Sequence, residues 1–175
     1  VSLCEFLGID PLVVAENGGV VLVGRDTVRI EGDRKAADAV AEAYREAGYG
    51  LGWGEADLVN RWRETELAVA REMPLEPLRE IAESHGLVVV DTGFAYHVKS
   101  PDVDKGRGLR AVADELDISP TDFFAVGDSE NDVPTFEVAG ESVAVANADE
   151  RARAAADDVT EAAYADGFLE AVAQI

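Results

Sequence analysis

A chain of 175 residues, 47% hydrophobic and 29% charged, has the size and composition of one globular domain or of a small core carrying an insert. Fifteen Lys and Arg against 36 Asp and Glu leave a formal charge of −21, which repels nucleic acid and anionic membranes and excludes both as partners. A single Cys4, no basic or apolar leader and no run of about 18 apolar residues predict a protein of a reducing cytoplasm. The acids are scattered rather than gathered in a tail, and molar salt, with a Debye length of about 3 Å, would screen their repulsion. The composition therefore points to a salt-adapted cytoplasm, with a moderately salt-tolerant acidic protein as the alternative.

Residues 3–7 read as the end of a helix, and Leu12-Val13-Val14-Ala15 as a buried strand running into the turn Glu16-Asn17-Gly18-Gly19. Val20–Val23 and Thr27–Ile30 flank Gly24-Arg25-Asp26 as a hairpin. Asp33 is placed to cap a helix whose Ala36, Val40, Tyr44 and Ala47 share a face, and Gly48 ends it. The glycine-rich stretch 49–60 lacks the spacing of a dinucleotide-binding turn and reads as an ordinary loop. Residues 63–71 alternate charged and apolar like a half-exposed strand, Pro74 opens a helix through Ser84, and residues 87–91 and Ala95–Lys99 form a second hairpin. Beyond Pro101, Leu109, Val112, Ala113 and Leu116 share a helical face, and residues 123–126 and 142–146 are apolar strands. Asp149 caps a helix, and residues 167–175 close the chain as an amphipathic helix. The layout predicts an α/β fold in three parts: a Rossmann-like core from residues 1–23 and 101–175, and an α+β cap inserted as residues 24–100. Sites are then expected at the carboxyl ends of the core strands, facing the insertion.

The sharpest motif is Gly127-Asp128-Ser129-Glu130-Asn131-Asp132, directly after a strand. Two carboxylates four residues apart at a strand's C-terminal end offer hard oxygen ligands to Mg2+, and Asn131 adds a neutral donor for an anionic oxygen. An Asx-rich turn in which Asp128 and Asp132 only cap the next helix is the alternative. Neither His85 nor His97 has a spacing that suggests zinc, and His85, at a helix end, reads as structural.

This segment resembles the fourth motif of the haloacid dehalogenase (HAD) superfamily of Mg2+-dependent phosphatases. Asp104-Lys105-Gly106, with Leu109 following, resembles the third, in which a Lys offsets the charge of the phosphoryl group and the nucleophile. The physics agrees, since a cation at a helix N-terminus, reinforced by the dipole, suits a transferring phosphoryl group. A solvated surface Lys is the alternative. Glu16-Asn17-Gly18-Gly19 resembles the segment leading into the cap in the Cof-like, C2-capped branch, and Ala146-Asn147-Ala148 its loop after the last core strand. Residues 24–100 resemble the cap of archaeal, including haloarchaeal, phosphoglycolate phosphatases, and the similarity runs along essentially the whole chain.

The resemblance implies hydrolysis of 2-phosphoglycolate, a small phosphorylated metabolite, through an aspartyl-phosphate, with Mg2+ as cofactor. It implies that Asp128 and Asp132 hold or orient the metal, Lys105 offsets phosphoryl charge and Asn131 positions the substrate. Arg61, Arg63, Thr65, Glu66, Tyr96, His97 and Lys99 are its candidates to contact the substrate carboxylate, with a solvated cap surface as the alternative for each. One departure stands out: the Asp-x-Asp-Gly-Thr segment that carries the family's nucleophile does not occur in the 175 residues. A fragment, a misplaced start and a degenerate relative are the explanations, and the retained Lys105, Asp128 and Asp132 favour truncation, with the missing core strands expected upstream. A sugar-phosphate phosphatase of the same branch and a non-catalytic Mg2+- and anion-binding remnant are the rival functions. A homodimer is one assembly that open sheet edges would permit.

Overall fold

Residues 2–175, those the computed structural model describes, build three three-stranded sheets; Val1 lies outside them. In the first, α1 (Ser2–Leu7) precedes β1 (Leu12–Ala15), β2 (Val20–Val23) and β3 (Thr27–Ile30), an antiparallel meander that sets Val14 opposite Val21 and Leu22 opposite Val28. The aliphatic runs of β1 and β2 and the mostly β-branched β3, separated by glycine-bearing turns, explain these strands. The position drawn above as the start of the cap, residue 24, falls in the turn between β2 and β3, and both strands share a sheet with β1. No residue of α1 is buried, and Leu3, Phe6 and Leu7 are exposed.

The second sheet has the order β4-β6-β5 and is antiparallel throughout. Its elements are α2 (Arg34–Glu46), β4 (Leu67–Ala70), α3 (Leu75–Ser84), β5 (Val88–Asp91) and β6 (Ala95–Lys99). Asp33 accepts the Ala36 N–H at the head of α2, as expected. The buried face of α2 holds Val40 and Tyr44, as expected, but with Ala37 and Ala41 buried in place of Ala36 and Ala47, and the Tyr44 hydroxyl donates to Pro74 O. The alternation of β6 sends Tyr96 and Val98 into this core with Leu67, Val69 and Leu78, leaving Ala95, His97 and Lys99 on the opposite face of the sheet.

The half-exposed strand expected over 63–71 is corrected. Only Leu67–Ala70 forms β4, and all four residues are buried. One side packs against α2, and the 51–60 loop covers the strand edge. Ala70 N–H donates to Leu51 O at 2.9 Å, and the Asn60 side chain accepts Ala68 N–H at 2.7 Å while donating to Ala68 O at 2.9 Å. A side-chain amide thus replaces a neighbouring strand, satisfying backbone groups that burial would otherwise leave unpaired.

The third sheet, β7-β8-β9, is parallel and follows α4 (Lys105–Leu116). It comprises β7 (Phe124–Gly127), α5 (Val133–Phe136), β8 (Glu141–Ala144), α6 (Glu150–Ala155) and β9 (Asp158–Val159), with α7 (Tyr164–Val172) last. The two-residue β9 was not expected from the sequence. Ala111 and Val112 of α4 pack on Val21, with Val14 and Val23 beside them, so α4 rests on the first sheet. The fold is mixed α/β, and no described helix is long and apolar enough to cross a membrane.

Candidate active site

The end of β7 delivers Gly127 into a loop organised by Asp132. Its Oδ2 accepts the backbone N–H of Asp128 at 3.0 Å and of Ser129 at 3.1 Å, and its Oδ1 accepts the Lys105 ammonium at 2.5 Å. A Cβ on Gly127 would stand 2.6 to 2.7 Å from Asp132 side-chain atoms, so glycine is required for the carboxylate to fold back this far. Both oxygens of Asp132 are therefore committed, and the turn-capping alternative describes this residue well. Asp128 differs: it is exposed and its carboxylate accepts no hydrogen bond from the described residues. Its carbonyl accepts Asp149 N–H at 2.9 Å, and Asp149 Oδ2 accepts Glu130 N–H at 2.6 Å, fixing the loop from its other side.

The donor set fits Mg2+, which is held by one or two carboxylates and completes its octahedron with water and phosphate oxygens. Asp128 is the available ligand, while Asp132 sets the loop and steers Lys105. Among the described residues, no group of three or more His, Cys, Asp or Glu side chains converges on one point.

A second polar cluster joins the cap sheet to this loop. In the turn after β1, Glu16 (φ 51°), Asn17 (φ 52°) and Gly18 (φ 101°) are successively left-handed, a costly conformation that its surroundings hold in place. The Glu16 carboxylate accepts Thr65 N–H and Thr65 Oγ1–H, both at 2.7 Å, as well as Glu64 N–H. Asn17 donates to Glu66 Oε2 at 2.8 Å and accepts from Asn131 Nδ2 at 2.9 Å. Ser129 Oγ donates to Asn131 Oδ1 at 2.5 Å. Glu66 is wholly enclosed, with His97 Nδ1 2.8 Å from Oε1 and the Arg63 guanidinium paired to the same oxygen. Burial pushes the Glu66 carboxyl up, but the hydrogen bond and charge of His97, the Asn17 amide and the Arg63 charge outweigh it and hold the group below the ordinary value. At Gly18 any Cβ would meet Asp104 O at 1.9 Å, so the head of α4 sits directly on the turn.

Between these clusters lies a cleft of about 160 Å³ whose walls include Asn17, Val90, Lys99, Lys105, Glu130 and Asn131. Lys105 and Asn131, expected at the site, line it; Asp132 anchors Lys105 from behind, and Asp128 lies in the adjoining loop. Of the seven cap candidates only Lys99 lines the cleft. Arg63, Thr65, Glu66 and His97 are consumed by the junction, the Tyr96 hydroxyl donates to Arg71 O, and Arg61 lies over the Trp62 ring at the rim of a different hollow. That hollow, about 740 Å³ between α2 and the 51–61 loop, shares no lining residue with the cleft. Asn147 accepts Tyr164 N–H, fastening the loop after β8 to α7, and His85 ends α3 beside Ile81 O. The sequence reading assigned Asn17 no role; its signal was an Asn-Gly pair at a strand end, which also reads as an ordinary turn.

Residues 71–172 match the haloacid dehalogenase-like hydrolase family, and the chain belongs to that family and is a hydrolase. Its relatives are more specific. A phosphoglycolate phosphatase of Haloarcula marismortui is 64% identical over 174 residues, which cover 99% of this chain and 77% of the relative. One from Natronomonas pharaonis is 60% identical, over 98% of this chain and 76% of the relative. A crystal structure from Thermoplasma acidophilum superposes with a TM-score of 0.81 at 23% identity, covering 99% of this chain and 76% of that one, and shares its fold.

Proposed function

We propose that this hydrolase is a Mg2+-dependent phosphomonoesterase that converts 2-phosphoglycolate to glycolate through an aspartyl-phosphate. One observation carries the reading: two ammonium groups, Lys99 and Lys105, face a single small cleft in a chain of net charge −21 that has only three lysines. The relatives named above support it. Lys105, at the head of α4, adds its charge to the helix dipole where a phosphoryl group would sit, and Asp132 fixes its position. Asp128 would hold Mg2+, which supplies a Lewis acid to polarise the phosphoryl oxygens. Asn131, braced by Asn17 and Ser129, borders the same pocket and orients the substrate. The cap sheet closes the cleft against water. The nucleophile in this reading is the first aspartate of an Asp-x-Asp-Gly-Thr segment, outside these 175 residues. A salt-rich cytoplasm is the proposed setting, and neither nucleic acid nor a membrane surface is a partner.

The test is phosphate release from 2-phosphoglycolate and glucose 6-phosphate, in molar KCl with Mg2+, by the protein carrying its Asp-x-Asp-Gly-Thr segment, which is the wild type of every activity assay below. The reading expects a preference for 2-phosphoglycolate of at least about tenfold, abolished by chelation. Faster release from glucose 6-phosphate would put the sugar phosphatase in its place, and no release from either would leave a binding module.

A further inference from the structure

Lys99 ends the central strand of the cap sheet on the face turned away from the cap core, and only 8% of it is exposed. Its ammonium donates to the carbonyl oxygens of Val103 and Ser100. An ammonium has three donors, so two carbonyl partners leave one unassigned. Among the described residues it forms no ion pair, although the chain carries 36 acids. The acids around it are engaged elsewhere: Asp104 accepts Arg107 N–H at the head of α4, Asp102 pairs with Arg107, and Glu66 serves His97, Arg63 and Asn17. Burial accordingly pushes the Lys99 ammonium below its usual value, while the charges of Asp104, Glu66 and Asp102 pull it back in part.

An enclosed charge without a paired carboxylate is costly, and hydrogen bonds to two neutral carbonyls offset that cost only in part. The two carbonyl bonds brace the segment after β6 but supply no opposite charge, which an anion brought into the cleft would. Lys105 shares the cleft but already has Asp132 as its carboxylate partner. The pocket thus offers two cationic positions of different kinds, one beside the metal-binding loop and one on the cap.

Resting on the phosphatase reading, we propose that Lys99 determines specificity by receiving the carboxylate of a short phosphorylated hydroxy acid whose phosphoryl group lies at Lys105. Arg63 and the His97 imidazole are held by Glu66, and Arg34 donates to the carbonyls of Arg63 and Glu66, so none of them shares the task.

The test compares Lys99→Met, which keeps the length of the side chain and removes its charge, with wild type on two esters. One is 2-phosphoglycolate, and the other is 2-hydroxyethyl phosphate, in which a carbinol replaces the carboxylate. kcat/KM for 2-phosphoglycolate is expected to fall about 10- to 100-fold, the range of a lost charge-assisted hydrogen bond, with that for 2-hydroxyethyl phosphate changing less than about threefold. Lys99→Arg should retain part of the preference. An equal loss on both esters, or an unaltered preference, overturns the assignment. Calorimetric titration with glycolate alone provides a readout independent of turnover: at least about tenfold weaker binding to Lys99→Met is expected, and equal binding, or none to either protein, overturns the proposal. Should wild type hydrolyse neither ester, the phosphoglycolate reading fails while the glycolate titration still decides Lys99. A lower melting temperature of Lys99→Met with unchanged discrimination between the esters would make Lys99 structural and overturn the proposal.

Discussion

Asp128 and Asp132 stand four positions apart in one loop, yet their surroundings divide the work between them. The Asp128 carboxylate accepts nothing from the described residues, so Asp128→Asn is expected to abolish Mg2+-dependent turnover at an unchanged melting temperature; retained turnover would remove the metal assignment. Asp132 receives two backbone amides and an ammonium. Asp132→Ala strands those donors and should cost about 1–3 kcal/mol for each group left unsatisfied, read as a lower urea midpoint together with lost activity. Glu66 sets a pH dependence of its own. Its folded-state pKa is lowered, so its contribution is present above the unfolded carboxylate range and is lost as pH falls through the folded value. The groups facing it are His97, Arg63 and the Asn17 amide, with Lys99 on the same sheet face. Acid denaturation of Glu66→Gln should therefore show a shallower loss of stability over the carboxylate range than wild type; matching acid limbs would place the effect elsewhere.

Among the elements, β4 tests whether a loop substitutes for a strand. Asn60→Ala leaves the N–H and C=O of the enclosed Ala68 with fewer partners, and about 1–3 kcal/mol of stability is expected to go, measured by urea unfolding. Because Asn60 lies outside the cleft, kcat/KM should hold under native conditions. The same strand shows where sequence reading stopped. An apolar run ending in Gly127-Asp128 was legible because strand, turn and carboxylates are contiguous, and Asp33 and Asp149 were legible as caps because their partners lie three residues on. Local pattern could not show that α2 and the 51–60 loop would enclose β4, since both covers come from other parts of the chain. Glu66 was misread for a related cause. A Glu in an acidic sequence reads as solvated or ligand-facing, and its three partners, Arg63, His97 and Asn17, meet only after the sheets dock.

At the scale of the molecule, 36 acids against 15 bases dominate the electrostatics. Eleven ion pairs join described residues, and most lie at the surface, where each contributes little and salt weakens it further. Repulsion among the remaining acids is the larger effect, and it also weakens with salt. The melting temperature should consequently rise as KCl is raised from about 0.1 M to about 1 M, the range over which the Debye length contracts from about 10 to about 3 Å. A scan showing no dependence on KCl would end the salt-adaptation argument.

The Asn17 amide bonds to Glu66 and Asn131 across sequence separations of 49 and 114 residues. Closing loops of that size loses chain entropy that is regained only once the joined surfaces are in place. The cleft is accordingly a late product of folding: each sheet can form from neighbouring segments, but the pocket exists only when all three have met. Activity is therefore expected to fall at lower urea than the far-ultraviolet circular dichroism signal, and coincident transitions would make junction and sheets a single cooperative unit.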